Sequence, residues 1–327
     1  MSGLVIGTRG KHTVRAPAAR SKAVLAALSS GLVIAGAIVA ALVIHGTGTP
    51  GSPVPGATPR LTATPRLTAT PAPAATAGHR AHTDPFGTAA TSYLSARSDT
   101  VLAAVYDLHT GQTWSLGAGP PQAEASVVKL DVLETLLAER GGSSAGLAAS
   151  DRALAQQMIE DSDNDAATSL WYEVGGPGQI RAFNASAGLT RTAPSACVVC
   201  PGFAWPGWGL TTTVPTDQIA LLRELVEPGT LLTKADRSYA LSLMENVTPD
   251  QRWGVSGGVP AGVTVALKNG WLPLDNSDTN WQINSVGWIS GRGRDYLIAV
   301  LTTGNPTEQY GISTIDALAA LVWQDMS

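Results

Sequence analysis

No aspartate or glutamate occurs before Asp84, and that boundary decides which part of the 327 residues can fold. The front carries eight basic side chains and an uncharged run of 22 residues, Ala23 to Ile44. At helical rise such a run spans about 33 Å, enough to cross the hydrocarbon core of a bilayer. Arg9, Lys11, Arg15, Arg20 and Lys22 precede it, and no charge follows until Arg60. The positive-inside rule then puts residues 1–22 in the cytoplasm and everything after the run outside. The competing reading is a cleaved secretory signal, whose apolar stretch is usually shorter and ends at a small-x-small site. Val43-Ile44-His45-Gly46 is a poor site of that kind. The expectation is therefore a transmembrane anchor over 23–44 in a single-pass cell-membrane protein, secreted instead if the run is cleaved. No cysteine lies near the run, which argues against a bacterial lipid anchor.

Residues 45–84 are rich in Thr, Pro, Ala and Gly, and Ala-Thr-Pro-Arg-Leu-Thr occurs twice in succession, from Ala57 and from Ala63. This composition buries too little apolar surface to fold, and its prolines stiffen it. It reads as a stalk with a reach on the order of 100 Å, enough to span a cell-wall layer. The body, 85–327, inherits nearly all the acid: beyond residue 83 there are 13 basic against 25 acidic side chains. An acidic body behind a basic front does not describe a nucleic-acid binder.

Within the body, Val101–Asp107 and Gln112–Leu116 flank His109-Thr110-Gly111 and predict a β-hairpin. Val263–Leu267, Ser285–Ile289 and Tyr296–Thr302 predict three more strands, with a tight turn at 291–295, and Thr314–Gln324 a closing apolar helix. The middle reads as helical. Ser150, Thr216 and Thr233 are N-cap candidates, and Gly188 is a helix stop. Strands at both ends around a helical insert predict an α+β fold, an antiparallel sheet flanked by helices plus an all-helical lobe.

Three short motifs carry chemistry: Ser126-Val127-Val128-Lys129, Ser162-Asp163-Asn164 and Lys268-Asn269-Gly270, their starts 36 and 106 residues apart. Val127, Leu130, Leu133, Leu136 and Leu137 recur at helical spacing, predicting a helix over 125–140 that sets Ser126 and Lys129 on one face. A lysine beside a serine can take its proton if burial or neighbouring cations lower the amine's pKa. The start of that helix also favours a developing oxyanion.

The set resembles the class A β-lactamase and penicillin-binding serine acyltransferase superfamily, whose motifs are S-x-x-K, S-D-N and K-T-G in that order. The resemblance implies a β-lactamase/transpeptidase-like fold with the site where sheet and helical lobe meet. It implies Ser126 as nucleophile, Lys129 as its base, Ser162 as proton relay and Lys268 as the cation beside them. It further implies substrate contacts by Asn164, Asn269 and Gly270, and an oxyanion hole from the N–H groups of Ser126 and Trp271, whose indole either lines the cleft or simply packs. The implied partner is a small molecule, a β-lactam or a cell-wall peptide, with no metal or other cofactor. Asp163 is expected to bond backbone.

Two departures matter. Asn269 stands where the family has Thr or Ser to hold a substrate carboxylate. The family's Glu-x-x-x-Asn loop, whose glutamate activates the deacylating water, has no counterpart: Gly175 to Thr216 contains no Asp or Glu. In its place lie Cys197-Val198-Val199-Cys200 and a Trp- and Gly-rich run, 201–209. Outside the membrane the two cysteines suggest a short disulfide, although a reduced pair stays open. A Ser-His-Asp hydrolase is disfavoured, because His12 and His45 flank the apolar run, His79 and His82 lie in the stalk and His109 in the hairpin turn. Two readings are left: a serine hydrolase that forms an acyl-enzyme at Ser126 with poor deacylation, and a non-hydrolytic binding or sensor protein on the same fold.

Overall fold

The computed structural model describes residues 83–140, 146–202, 205–275 and 279–326. Chain contacts divide the protein into two units, Met1–Thr70 and Pro71–Ser327, and every described residue belongs to the second. The expected anchor at 23–44 and all but the end of the expected stalk lie outside the described residues. No helix among the described residues is long and apolar enough to cross a membrane.

A first helix, α1 (Thr88–Ser95), leads into a hairpin of β1 (Thr100–Asp107) and β2 (Thr113–Leu116), followed by the short β3 (Gln122–Ala123). The helical stretch then runs α2 (Val128–Glu139), α3 (Ala149–Glu160), α4 (Asn164–Glu173), α5 (Pro177–Ser186), β4 (Thr212–Thr213), α6 (Pro215–Val226) and α7 (Lys234–Glu245). The chain closes with β5 (Thr264–Pro273), β6 (Trp281–Gly291), β7 (Arg294–Asn305) and α8 (Glu308–Asp325). The five long strands form one antiparallel sheet in the order β2-β1-β7-β6-β5, and β3 pairs with β4. The first strands therefore join the last, and the helical stretch between them is an insertion into the sheet's connectivity.

Period-two side chains give the sheet two apolar faces. Val101, Ala103 and Val105 of β1 and Ile298 and Val300 of β7 pack with Ile315, Leu318 and Val322 of α8. Ala104, Tyr106, Leu297 and Ala299 face the other way, onto the core built around Leu130, Leu133 and Leu137 of α2 and Leu221 and Leu222 of α6. Helix α2 is buried on every side from Val128 to Leu137, so it runs through the interior rather than along a surface.

Burial on all sides has an electrostatic consequence. Glu134 of α2 is fully buried, and neither of its carboxyl oxygens has a hydrogen-bond partner among the described residues. Burial, with Asp131 and Glu224 nearby, holds this carboxyl well above the usual range. Above the ordinary carboxylate pKa the unfolded chain releases this proton and the folded one keeps it, so this group's stabilisation falls as pH rises. Glu134→Met is expected to raise stability at pH 7.5 by about 1–3 kcal/mol, the cost of an unsatisfied buried polar group. Denaturant midpoints measured at pH 7.5 and at pH 4 check this: the gain should shrink at the lower pH.

The expected helix over 125–140 begins differently. Ala125–Val127 is a tight 3₁₀ turn, and α-helix starts only at Val128. Ser150 and Thr216 cap nothing. The preceding Ala148 and Val214 occupy those N-cap positions, and Pro215 already opens α6. Thr233 does cap α7, in a reciprocal capping box with Asp236, and Gly188 follows α5 in the left-handed region. Strands β5, β6 and β7 each extend beyond the expected segment, since their polar residues pair in the ladder as readily as the apolar ones.

Candidate active site

Ser126 sits in the 3₁₀ turn just before α2, held from two sides. The backbone N–H of Glu124 donates to Thr211 O (2.7 Å), and Nδ2 of Asn284, on β6, donates to the carbonyls of Ala123 (2.8 Å) and Glu124 (2.9 Å). Between these ties and Ser126, Ala125 adopts φ +51°, a left-handed conformation that costs a residue with a Cβ about 1–2 kcal/mol. Strand β5 presses on the same turn. A Cβ at Gly270 would stand 2.8 Å from Glu124 O, Ser126 N and Val127 N, which only glycine avoids.

Lys129, three residues on, is fully buried. Its Nζ donates to Ser162 O (2.5 Å), Ser162 Oγ (3.1 Å) and Asn164 Oδ1 (2.7 Å). Ser162 is the second left-handed residue of the site, at φ +56°, and Asp163 caps α4 by accepting the N–H of Ala166. That geometry turns Ser162 and Asn164 toward the same amine. From the opposite side Lys268 Nζ, also fully buried, donates to Ser162 Oγ (2.9 Å) and to Asn269 O (3.0 Å). With Lys129 charged, this hydroxyl oxygen accepts from two amines and keeps its own proton to give away; with Lys129 neutral, two N–H groups face three partners and the Ser162 hydroxyl can donate to the amine instead.

Two buried cations this close do not both stay charged at neutral pH. Burial lowers the Lys129 amine to about 6, helped by the charge of Lys268 and opposed by Asp163. Burial alone brings Lys268 to about 7. A lysine titrating near 6 is a competent proton acceptor at pH 7.

The cleft beside Ser126 is lined by Asn164, Trp205, Trp208, Trp271 and Leu272 among others. Lys268 and Gly270 stand behind it. Asn269 does not reach it: the side chain is buried, and its Nδ2 donates to Gln251 O (2.7 Å) and Trp253 O (3.2 Å).

The sequence profile of the Beta-lactamase enzyme family matches residues 139–326, from the end of α2 through the second and third motifs to the last helix. The chain belongs to this beta-lactamase family. A curated relative, "Putative lipoprotein LppW" of Mycobacterium tuberculosis, is 29% identical over 217 residues, which cover 64% of this chain. The chain spans 65% of the length of that relative, and the same figures hold for its Mycobacterium bovis counterpart. Among solved structures, a class A beta-lactamase from Bacteroides cellulosilyticus aligns at TM-score 0.62 and 18% identity, covering 74% of this chain and 96% of its own. A beta-lactamase from Xanthomonas campestris aligns at 0.60 and 21%, covering 72% and 96%. At such identities the likeness establishes the fold.

Against that family background the loop between the second and third motifs is distinctive. It brings an indole to Lys129. The Trp208 ring centroid lies 5.1 Å from Lys129 Nζ, and its Nε1 donates to Thr168 Oγ1 (3.2 Å) on α4. Cys197 and Cys200 form a disulfide, and the N–H of Gly207, next to Trp208, donates to Cys197 O (2.8 Å). The stapled turn therefore braces the segment that covers the base. Asn284 and Trp208 escape motif reading. The only sequence signal for Trp208 is the cluster of tryptophans and glycines in an acid-free loop.

Proposed function

We propose that this chain is a serine hydrolase that forms an acyl-enzyme at Ser126 and releases it slowly. The observation that carries the reading is the bridge at Ser162, whose hydroxyl lies within hydrogen-bond distance of both Lys129 (3.1 Å) and Lys268 (2.9 Å), with Lys129 three residues on from Ser126. Neutral Lys129 takes the Ser126 proton as Oγ attacks a carbonyl carbon, and the oxyanion forms at the N–H groups of Ser126 and Trp271. The proton then passes from Lys129 to Ser162 Oγ, and the Ser162 proton goes to the leaving group. Asn164 Oδ1 is taken by Lys129, so its amide nitrogen faces the acyl side of the substrate. The substrates the family resemblance suggests are a β-lactam or a cell-wall peptide, acted on outside the membrane by a body tethered through residues 23–44.

Slow release follows from the loop. Deacylation needs a base for water, and Trp208, which covers Lys129, is not one. A cleft lined, among the described residues, by indoles, other small or apolar residues and Asn164 also fits the second reading, a binding or sensor protein that is acylated without turnover. Intact-mass spectrometry of the full-length chain in detergent, after a pulse of penicillin or an activated aryl ester, tests both. An acyl adduct on Ser126 that decays with product release supports the hydrolase, and one that never decays supports the sensor. No adduct from either reagent would overturn acylation altogether.

A further inference from the structure

The lining of the cleft beside Ser126 carries no cationic side chain among the described residues. The walls are Trp205 and Trp208 on the loop side and Trp271 and Leu272 on the strand side. The position that would hold a substrate carboxylate by family resemblance, Asn269, has its amide N–H groups on the carbonyls of Gln251 and Trp253. Its cross-strand partner on β6 is Ser285, also buried, whose Oγ accepts the N–H of Val255 (3.0 Å). Arg252, on the loop that receives the Asn269 amide, donates to Glu245 O. The amines of Lys129 and Lys268 are committed to Ser162, Asn164 and Asn269 and do not themselves line the cleft, and exposed acids stand beside it. Just past the end of β5 at Pro273 comes an exposed Asp275, and exposed Asp163 and Asp165 flank Asn164. The space itself is small, about 50 Å³. That is room for about four waters or a short acyl chain.

Resting on the acyl-enzyme reading above and narrowing its substrates, we infer that this site favours an uncharged, apolar acyl donor, a short-chain ester or amide with no carboxylate next to the scissile bond, over the carboxylate-bearing β-lactams and cell-wall peptides that the resemblance suggests. The indoles supply apolar contact and the N–H groups of Ser126 and Trp271 hold the carbonyl oxygen, so the donor needs no ionic anchor. A carboxylate on the leaving group enters an apolar cleft with acidic neighbours, and its desolvation goes uncompensated. In the step itself the Ser126 Oγ–carbon bond forms and the ester carbon–oxygen bond breaks. The Ser126 proton moves to Lys129, and Ser162 delivers one to the departing oxygen.

A matched pair of esters tests this in the full-length chain in detergent: m-(methoxycarbonyl)phenyl butyrate and m-carboxyphenyl butyrate, which differ only in the masked or free carboxylate of the leaving group. The neutral ester is expected to acylate Ser126 at least tenfold faster, by intact mass and by phenol release. Leu272→Arg, which adds a cation to the cleft wall, should bring the two rates within threefold. Equal rates in the unmodified chain, or faster reaction of the free carboxylate, would overturn the inference while leaving the acyl-enzyme intact. Failure of both esters to label Ser126 would instead remove the acyl-enzyme and this inference with it.

Discussion

Lys129→Ala is expected to lower the rate of Ser126 acylation by about a thousandfold, within the range that a positioned general base contributes. The alanine variant keeps the nucleophile, and Ser162 keeps its hydrogen bond from Lys268. What it loses is the one amine that lies three residues on from Ser126 and titrates near pH 6. Lys129→Met, which fills the same volume without a basic nitrogen, should fall equally far, separating lost chemistry from lost packing. The pH profile carries the sharper test. Below about 6 the amine is protonated and cannot accept; above it the free base dominates, so acylation should rise with pH through that value. Both variants should lack this inflection. Lys268→Ala removes the charge that helps depress Lys129, so in that background the inflection should move to higher pH. An unchanged rate in Lys129→Ala, or a rise with no inflection near 6 in the parent, would assign the base elsewhere.

How much of this could be read from residues alone depends on the range of the forces involved. Local rules worked where the controlling contact is local. The hairpin around Gly111, the capping box at Thr233 and the apolar spacing of α2 are set within a few residues and were legible. The meeting of Lys129 and Lys268 at Ser162 was foreshadowed by the order of the three motifs. Local rules failed where tertiary contacts decide. Ala125 reads as an ordinary helix starter, yet Asn284, 159 positions away, ties the preceding carbonyls and leaves it left-handed. Asn269 reads as a ligand for substrate because it stands inside a motif. The loop at Gln251–Trp253 lies against its side of β5 and captures the amide first. Trp208 had no role on paper, since nothing in a loop's composition says which of its side chains will cover a lysine on α2.

Gly270→Ala should damage both the fold and the site. The added methyl would meet Glu124 O, Ser126 N and Val127 N at 2.8 Å each, closer than real Cβ contacts allow, and all three are backbone atoms that no rotamer change can move. Relief requires β5 to back away or the 124–127 turn to shift. Both are restrained: β5 by its ten-residue pairing with β6, the turn by Asn284 and Thr211. Overpacking of this kind costs about 1–3 kcal/mol, readable as a lower denaturant midpoint. The larger effect is expected on chemistry. The crowded atom at Ser126 is the very N–H that is to hold the oxyanion, and a misplacement of ~1 Å costs about a hundredfold in rate. Gly178→Ala is the control, because a Cβ there meets nothing within 4 Å and α5 lies away from the cleft lining. It should leave acylation unchanged. Should Gly270→Ala retain both parental stability and parental acylation, the pressure of β5 on the turn would not be what positions the Ser126 amide, and the oxyanion site would have to be sought elsewhere.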